Sequence, residues 1–168
     1  MNIVFYISGL VAIVATVLVI TLRNPVHSLL YLILSLLAVA LVFFTIGAPF
    51  AAALEIIVYA GAIMVLFVFV IMMLNPGSEE EDRYKQLFNP KTWIGPSVLA
   101  TILLLELAYV FLQNRGIPSA VEEVGPKQVG IALFGPYVLG VELASILLLA
   151  GLVGAYHLGR RSPGGGRS

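Results

Sequence analysis

Cysteine is absent from all 168 residues. Thiolate-bound zinc, iron–sulfur clusters and disulfides built within this chain are therefore excluded. Histidine is scarce too. His27 and His157 are the only two, and their separation argues against a haem or metal site made by this chain alone. Charge is the third shortage. Asp, Glu, Lys and Arg supply 11% of the residues, against about 25% in an average soluble chain. The formal net charge is zero, so no basic surface points to nucleic acid. Glycine-rich phosphate loops, Ser/His/Asp arrangements and metal-ligand spacings are all missing. No internal repeat stands out, which weakens an inverted-repeat transporter reading. A catalytic centre belonging to this chain alone is not expected, and neither is a bound cofactor.

What the chain has is apolar length. Hydrophobic residues make up 60% of it and the mean hydropathy is +1.04. These values describe an all-α, polytopic membrane protein. The apolar runs predict five spans, at about 3–22, 28–46, 52–74, 93–113 and 137–158, each long enough to cross a bilayer core. They form a single five-helix domain over residues 1–158, and the Gly/Arg/Ser-rich residues 159–168 read as a disordered tail. Met1-Asn2-Ile3 runs into the first span without a basic n-region or a small-residue cleavage site, so that span is read as retained.

The breaks between spans are marked by turn chemistry. Arg23-Asn24-Pro25 ends the first span, and Pro25 suits the first turn of the next helix. His27 follows, read as an interfacial histidine or a pH switch. Gly47-Ala48-Pro49 is so short a break that spans two and three should be antiparallel neighbours. Asn75-Pro76-Gly77-Ser78 closes span three, and the polar segment 79–85 reads as a solvated loop. Trp93 marks an interface at the start of span four, with Pro96 in its first turn. A connector over 114–127 carries Pro118 and Pro126. Residues 129–134 read as an interfacial or re-entrant approach, divided by Gly135-Pro136 from span five.

With the N-terminus outside, the inner segments hold Arg23, Arg83, Lys85, Lys91, Arg160, Arg161 and Arg167, and the outer ones only Arg115 and Lys127. The positive-inside rule thus predicts the N-terminus outside and the C-terminus cytoplasmic. Three acids then lie within the membrane, at or beyond its middle towards the outside: Glu55, Glu106 and Glu142. No Lys or Arg of this chain lies at their depth. Such groups are either protonated or paired with cations of other chains.

Residues 52–74 organise the rest. Glu55 is the only ionisable acid in this span. Tyr59 is four residues on, on the same face of an α-helix. Ala60-Gly61-Ala62 is a small patch at mid-helix, where Gly is less favourable than Ala by about 1 kcal/mol. Each feature has two readings. Glu55 is an interfacial acid near the positive helix end, or an acid that handles protons. Tyr59 is a packing residue or a phenol beside that acid. The small patch is a close helix contact, or a point where the winding changes. Periodicity does not choose between them.

The motifs Asn24-Pro25-Val26-His27-Ser28-Leu29-Leu30-Tyr31-Leu32 and Ala53-Leu54-Glu55-Ile56-Ile57-Val58-Tyr59-Ala60-Gly61-Ala62-Ile63-Met64-Val65-Leu66-Phe67-Val68-Phe69-Val70 resemble the subunit J family of bacterial NADH-quinone oxidoreductase, respiratory complex I, the family of mitochondrial chain 6. Trp93-Ile94-Gly95-Pro96, Phe134-Gly135-Pro136-Tyr137-Val138-Leu139 and Val141-Glu142-Leu143-Ala144-Ser145 extend the likeness to almost the whole chain. The resemblance implies a non-redox, multi-pass subunit of the proton-pumping membrane arm of this translocase, in the bacterial inner (cytoplasmic) membrane. Its partners would be the quinone-site subunit, the antiporter-like subunits and the lipid bilayer, with FMN, iron–sulfur clusters and quinone held by other subunits. The resemblance also implies a third helix that holds a π-bulge near Tyr59 and Gly61 and switches its winding. One inserted residue turns everything beyond it by about 100°, so Met64, Phe67 and Val68 would change face together. Glu55, Tyr59 and Glu142 match family positions, and with Gly61 and Met64 they are the expected proton-path or gating residues. Glu106 departs from the pattern, which is usually apolar there, and inherits no role. A small autonomous transporter and a purely structural subunit are the competing readings.

Overall fold

The computed structural model describes residues 2–73, 90–113 and 123–160. The polar segment 79–85, most of the 114–127 connector and the tail beyond Arg160 lie outside them. The described residues are helical: α1 (Asn2–Thr21), α2 (Pro25–Thr45), α3 (Pro49–Met73), α4 (Pro90–Gln113), α5 (Pro126–Leu133) and α6 (Val138–Gly159). Five of these, α5 excepted, are long and apolar enough to cross a membrane.

Helix starts fall earlier than the apolar runs suggest, because caps and prolines sit outside those runs. Asn24 caps α2 by accepting the Val26 N–H at 3.0 Å, and Pro25 occupies the first turn, where its missing N–H costs nothing. Three residues are thereby added ahead of the expected start at 28. The α2–α3 break is a Schellman turn: the Ala48 N–H reaches the Phe43 carbonyl at 3.0 Å and the Gly47 N–H reaches Phe44 at 3.2 Å. Gly47 has φ 85°, a conformation that L side chains resist. Pro49 then opens α3, three residues ahead of the expected 52. Likewise α4 starts at Pro90, so Pro96 stands inside the helix rather than in its first turn. The Thr92 carbonyl one turn back loses its usual donor there.

The chain divides into two units, Met1–Val124 and Gly125–Ser168. The first is built on α1 and α2. Small residues permit their close approach: Ser8, Ala15 and Ala38 are fully buried. Hydroxyls tie the pair, with Thr16 Oγ1 2.8 Å from Ser35 Oγ, and Ser35 3.2 Å from the Ala12 carbonyl. Val11, Tyr31, Leu34, Ala38, Leu41 and Leu103 form the core where α4 joins them. The buried stripe of α2 begins at His27 and continues through Tyr31, Leu34 and Ala38, at helical spacing. His27 is 3% exposed, packed against the neighbouring helices in the first turn of α2.

The backbone of α4 crosses α2 at Gly95. A Cβ there would collide with the Tyr31 hydroxyl. Gly95→Ala should therefore destabilise the unit, by about 1–3 kcal/mol for overpacking. Adding Tyr31→Phe, which removes the colliding oxygen, should recover part of the loss. Heat stability in native membranes measures both.

The second unit holds α5 and α6. The Gly125 N–H donates to the Gln128 side chain at 3.0 Å and so fixes the start of α5, the segment read as an interfacial approach. None of the residues of α6 is buried.

Candidate functional site

The winding of α3 changes twice. Pro49–Leu54 is α-helical, Glu55–Ile63 is π-helical, and Met64–Met73 is α-helical again. At the upstream junction the Glu55 N–H still reaches Ala51, four residues back. Downstream the Met64 N–H reaches Tyr59, five back. The residues on either side, Leu54 and Met64, keep ordinary α dihedrals. The irregularity is therefore embedded in a continuous helix and does not end one.

All three segments pack against α2. Ala52 and Met64, twelve positions apart, are both buried, at 5% and 4% exposure. A regular α-helix turns about 100° per residue and would put them about 120° apart. With one residue fewer between them the angle would fall to about 20°. The π segment absorbs that extra residue, and its presence lets both ends of α3 face α2.

Gly61 stands at the tight point of the segment. A Cβ there would lie 3.2 Å from the Ile56 carbonyl, five residues back. That carbonyl is the natural acceptor for the Gly61 N–H in π winding. Omitting the side chain leaves the wide turn uncrowded.

Glu55 opens the π segment and is half-buried. It lies six residues inside α3, nearly two turns from Pro49, deeper than the apolar run implied. Tyr59 is 51% exposed. Tyr59, four residues on, stays on roughly the same side as Glu55 in π winding as in α, because four residues make about one turn of either. Ala60, five residues on, is half-buried like Glu55, and no hydrogen bond joins the Tyr59 phenol to the carboxylate. Met64 closes the segment, buried. Glu142 lies in the second unit, exposed on α6. The structure thus gathers Glu55, Tyr59, Gly61 and Met64 on one helix, with Met64 buried, Glu55 and Gly61 half-buried and Tyr59 exposed.

Beside α3 lies an apolar groove of about 580 Å³, whose walls include Leu37 and Leu41 of α2, Ala52 and Ile56 of α3, and Leu103 and Leu107 of α4. Its walls carry no charged residue. Side chains of α3 can move into this space without compressing a close-packed core.

One pairing was not visible in the sequence. Ser8 of α1 donates to Glu106 Oε2 of α4 at 2.7 Å, a bond between residues 98 positions apart. Both residues are buried. The signals available were a serine in the first span and an acid in the fourth, with nothing to join them.

The family profile of NADH-ubiquinone/plastoquinone oxidoreductase chain 6 matches residues 15–158. The chain is similar to NADH-quinone oxidoreductase subunit J of Escherichia coli strain K12, at 59% identity over 167 residues, covering 98% of this chain and 90% of that one. Subunit J of Pseudomonas aeruginosa is 57% identical over 162 residues, covering 96% and 98%. That of Buchnera aphidicola subsp. Schizaphis graminum is 52% identical, covering 95% and 98%.

Proposed function

Since this chain belongs to the NADH-ubiquinone/plastoquinone oxidoreductase chain 6 family, we propose that it is a non-redox subunit of the membrane arm of NADH-quinone oxidoreductase, and that rewinding of α3 helps couple quinone reduction to proton translocation. The observation that carries this reading is the π segment Glu55–Ile63, which holds one residue more than regular winding needs between two buried anchors.

The chemistry follows from the geometry. If the segment relaxes to α winding, Met64–Met73 turns by about 100° relative to Pro49–Leu54. Met64 leaves α2 and Ile63, now half-buried, takes its place. Glu55 belongs to the upstream end and stays where it is. A fixed acid beside a turning apolar wall is a gate: in one state the wall closes off the carboxyl, and in the other water reaches it. The two windings of such an element differ by a few kcal/mol, so a partner that binds one better than the other sets the state. Electrons, flavin, clusters and quinone belong in this reading to other subunits. The basic residues favour a cytoplasmic C-terminus, and the membrane is the bacterial inner membrane. The quinone-site subunit and the antiporter-like subunits are the proposed neighbours. Glu142, exposed on α6, is proposed to meet one of them.

The test is proton translocation by the whole enzyme in liposomes. Glu55→Gln should lower the number of protons moved per electron at normal assembly. An unchanged ratio overturns the role of Glu55. Purification of this chain as a discrete homo-oligomer that moves ions unaided would overturn the subunit reading.

A further inference from the structure

Glu106 lies outside the α3 gate, and its surroundings define a second site. The carboxyl is 7% exposed and sits between α1 and α4. Oε2 has one partner, the fully buried Ser8 hydroxyl, at 2.7 Å. Oε1 is buried and has no hydrogen-bond partner among the described residues. An ionised carboxylate presents about four acceptor positions, and here one is filled by a neutral donor.

Among the described residues no cation faces this carboxyl. Neither α1, α2 nor α3 contains a Lys or Arg among its described residues. The titratable groups of α2 are His27 and Tyr31, and Tyr31 packs at Gly95, eleven residues and about 16 Å along α4 from Glu106. The only titratable group of α1 is Tyr6, which is exposed. On α4, Lys91 is fifteen residues away, about 22 Å along the axis, and Tyr109 is exposed. A buried charge with one neutral hydrogen bond and no counter-ion is not a stable arrangement. The neutral acid is, because Oε2 as its carbonyl oxygen still accepts from Ser8 at 2.7 Å, and its other oxygen is then an uncharged hydroxyl.

We propose that Glu106 and Ser8 form a proton-binding site between α1 and α4, in which the bound ligand is a proton held as a neutral carboxylic acid. The site shares no residue with the π segment and stands whether or not α3 rewinds. It gives the chain a second place to keep a proton within the membrane, fixed by helix packing and not by a mobile segment.

Infrared difference spectra of the intact assembled enzyme at neutral pH test this directly. Subtracting Glu106→Gln from the unsubstituted enzyme should leave a carboxylic-acid carbonyl band. In Ser8→Ala the same band should remain but move to higher frequency, because its hydrogen bond is gone. Glu106→Gln, which keeps size and polarity, should also assemble and resist heat as well as the parent enzyme. A carboxylate band in place of the acid band overturns the proposal. So does a band that Ser8→Ala leaves unmoved, or a large loss of heat stability in Glu106→Gln, which would reveal a lost ion pair.

Discussion

Deleting Ala60 should leave the enzyme assembled and able to oxidise NADH, yet nearly abolish its proton pumping. With Ala60 gone, the methionine now at position 64 stands eleven positions after Ala52, and α winding puts them about 20° apart. Both remain buried, as they are now, on segments that pack against α2, so the contacts that hold the subunit together survive. The extra residue is what has been lost. The helix has one comfortable winding left, because a π turn would now push the downstream half off α2. The ratio of protons moved to electrons transferred, measured in liposomes, should fall towards zero. Full pumping by this variant would mean that the π segment is a static feature.

Gly61→Leu should impair coupling more than Glu55→Gln does. A Cβ at Gly61 meets the Ile56 carbonyl at 3.2 Å, and overpacking of this kind costs about 1–3 kcal/mol. The same substitution favours regular α-helix by nearly 1 kcal/mol, because Gly is the poorer helix former. The two effects act in one direction. Together they move the balance between windings by roughly two orders of magnitude, at about 1.4 kcal/mol per tenfold. Gly61→Ala, with the first carbon only, should fall between Gly61→Leu and the parent. Glu55→Gln removes an ionisable group but leaves the helix free to rewind, so its loss should be smaller. The check is the proton-to-electron ratio of the variants at matched assembly. Equal losses, or a larger loss in Glu55→Gln, would place the acid rather than the winding at the centre.

The five spans were legible because bilayer length and apolar composition are carried by the chain itself. Their ends were not, by about three residues at α2, α3 and α4, because Pro25, Pro49 and Pro90 start helices from outside the apolar runs. The π segment was invisible to periodicity for a physical reason. Around Gly61 nearly every residue is apolar or small on all faces, so no polar stripe exists whose slip would reveal an extra residue. The family motif pointed to it instead. Glu106 was conspicuous as an acid deep in span four, but its partner is 98 residues away, and no local rule connects Ser8 to it.

The central claim is that Met64 and Ile63 exchange places against α2 during turnover. Because the chain has no cysteine, a thiol introduced at either position is unique within it. The decisive measurement is the rate at which a membrane-permeant thiol reagent modifies Met64→Cys and Ile63→Cys in the intact enzyme, at rest and during NADH oxidation, read by mass spectrometry on this chain's own peptide. Reciprocal change is expected, with Met64→Cys reacting faster during turnover and Ile63→Cys more slowly. Rates that stay the same at both positions in both conditions would contradict the account.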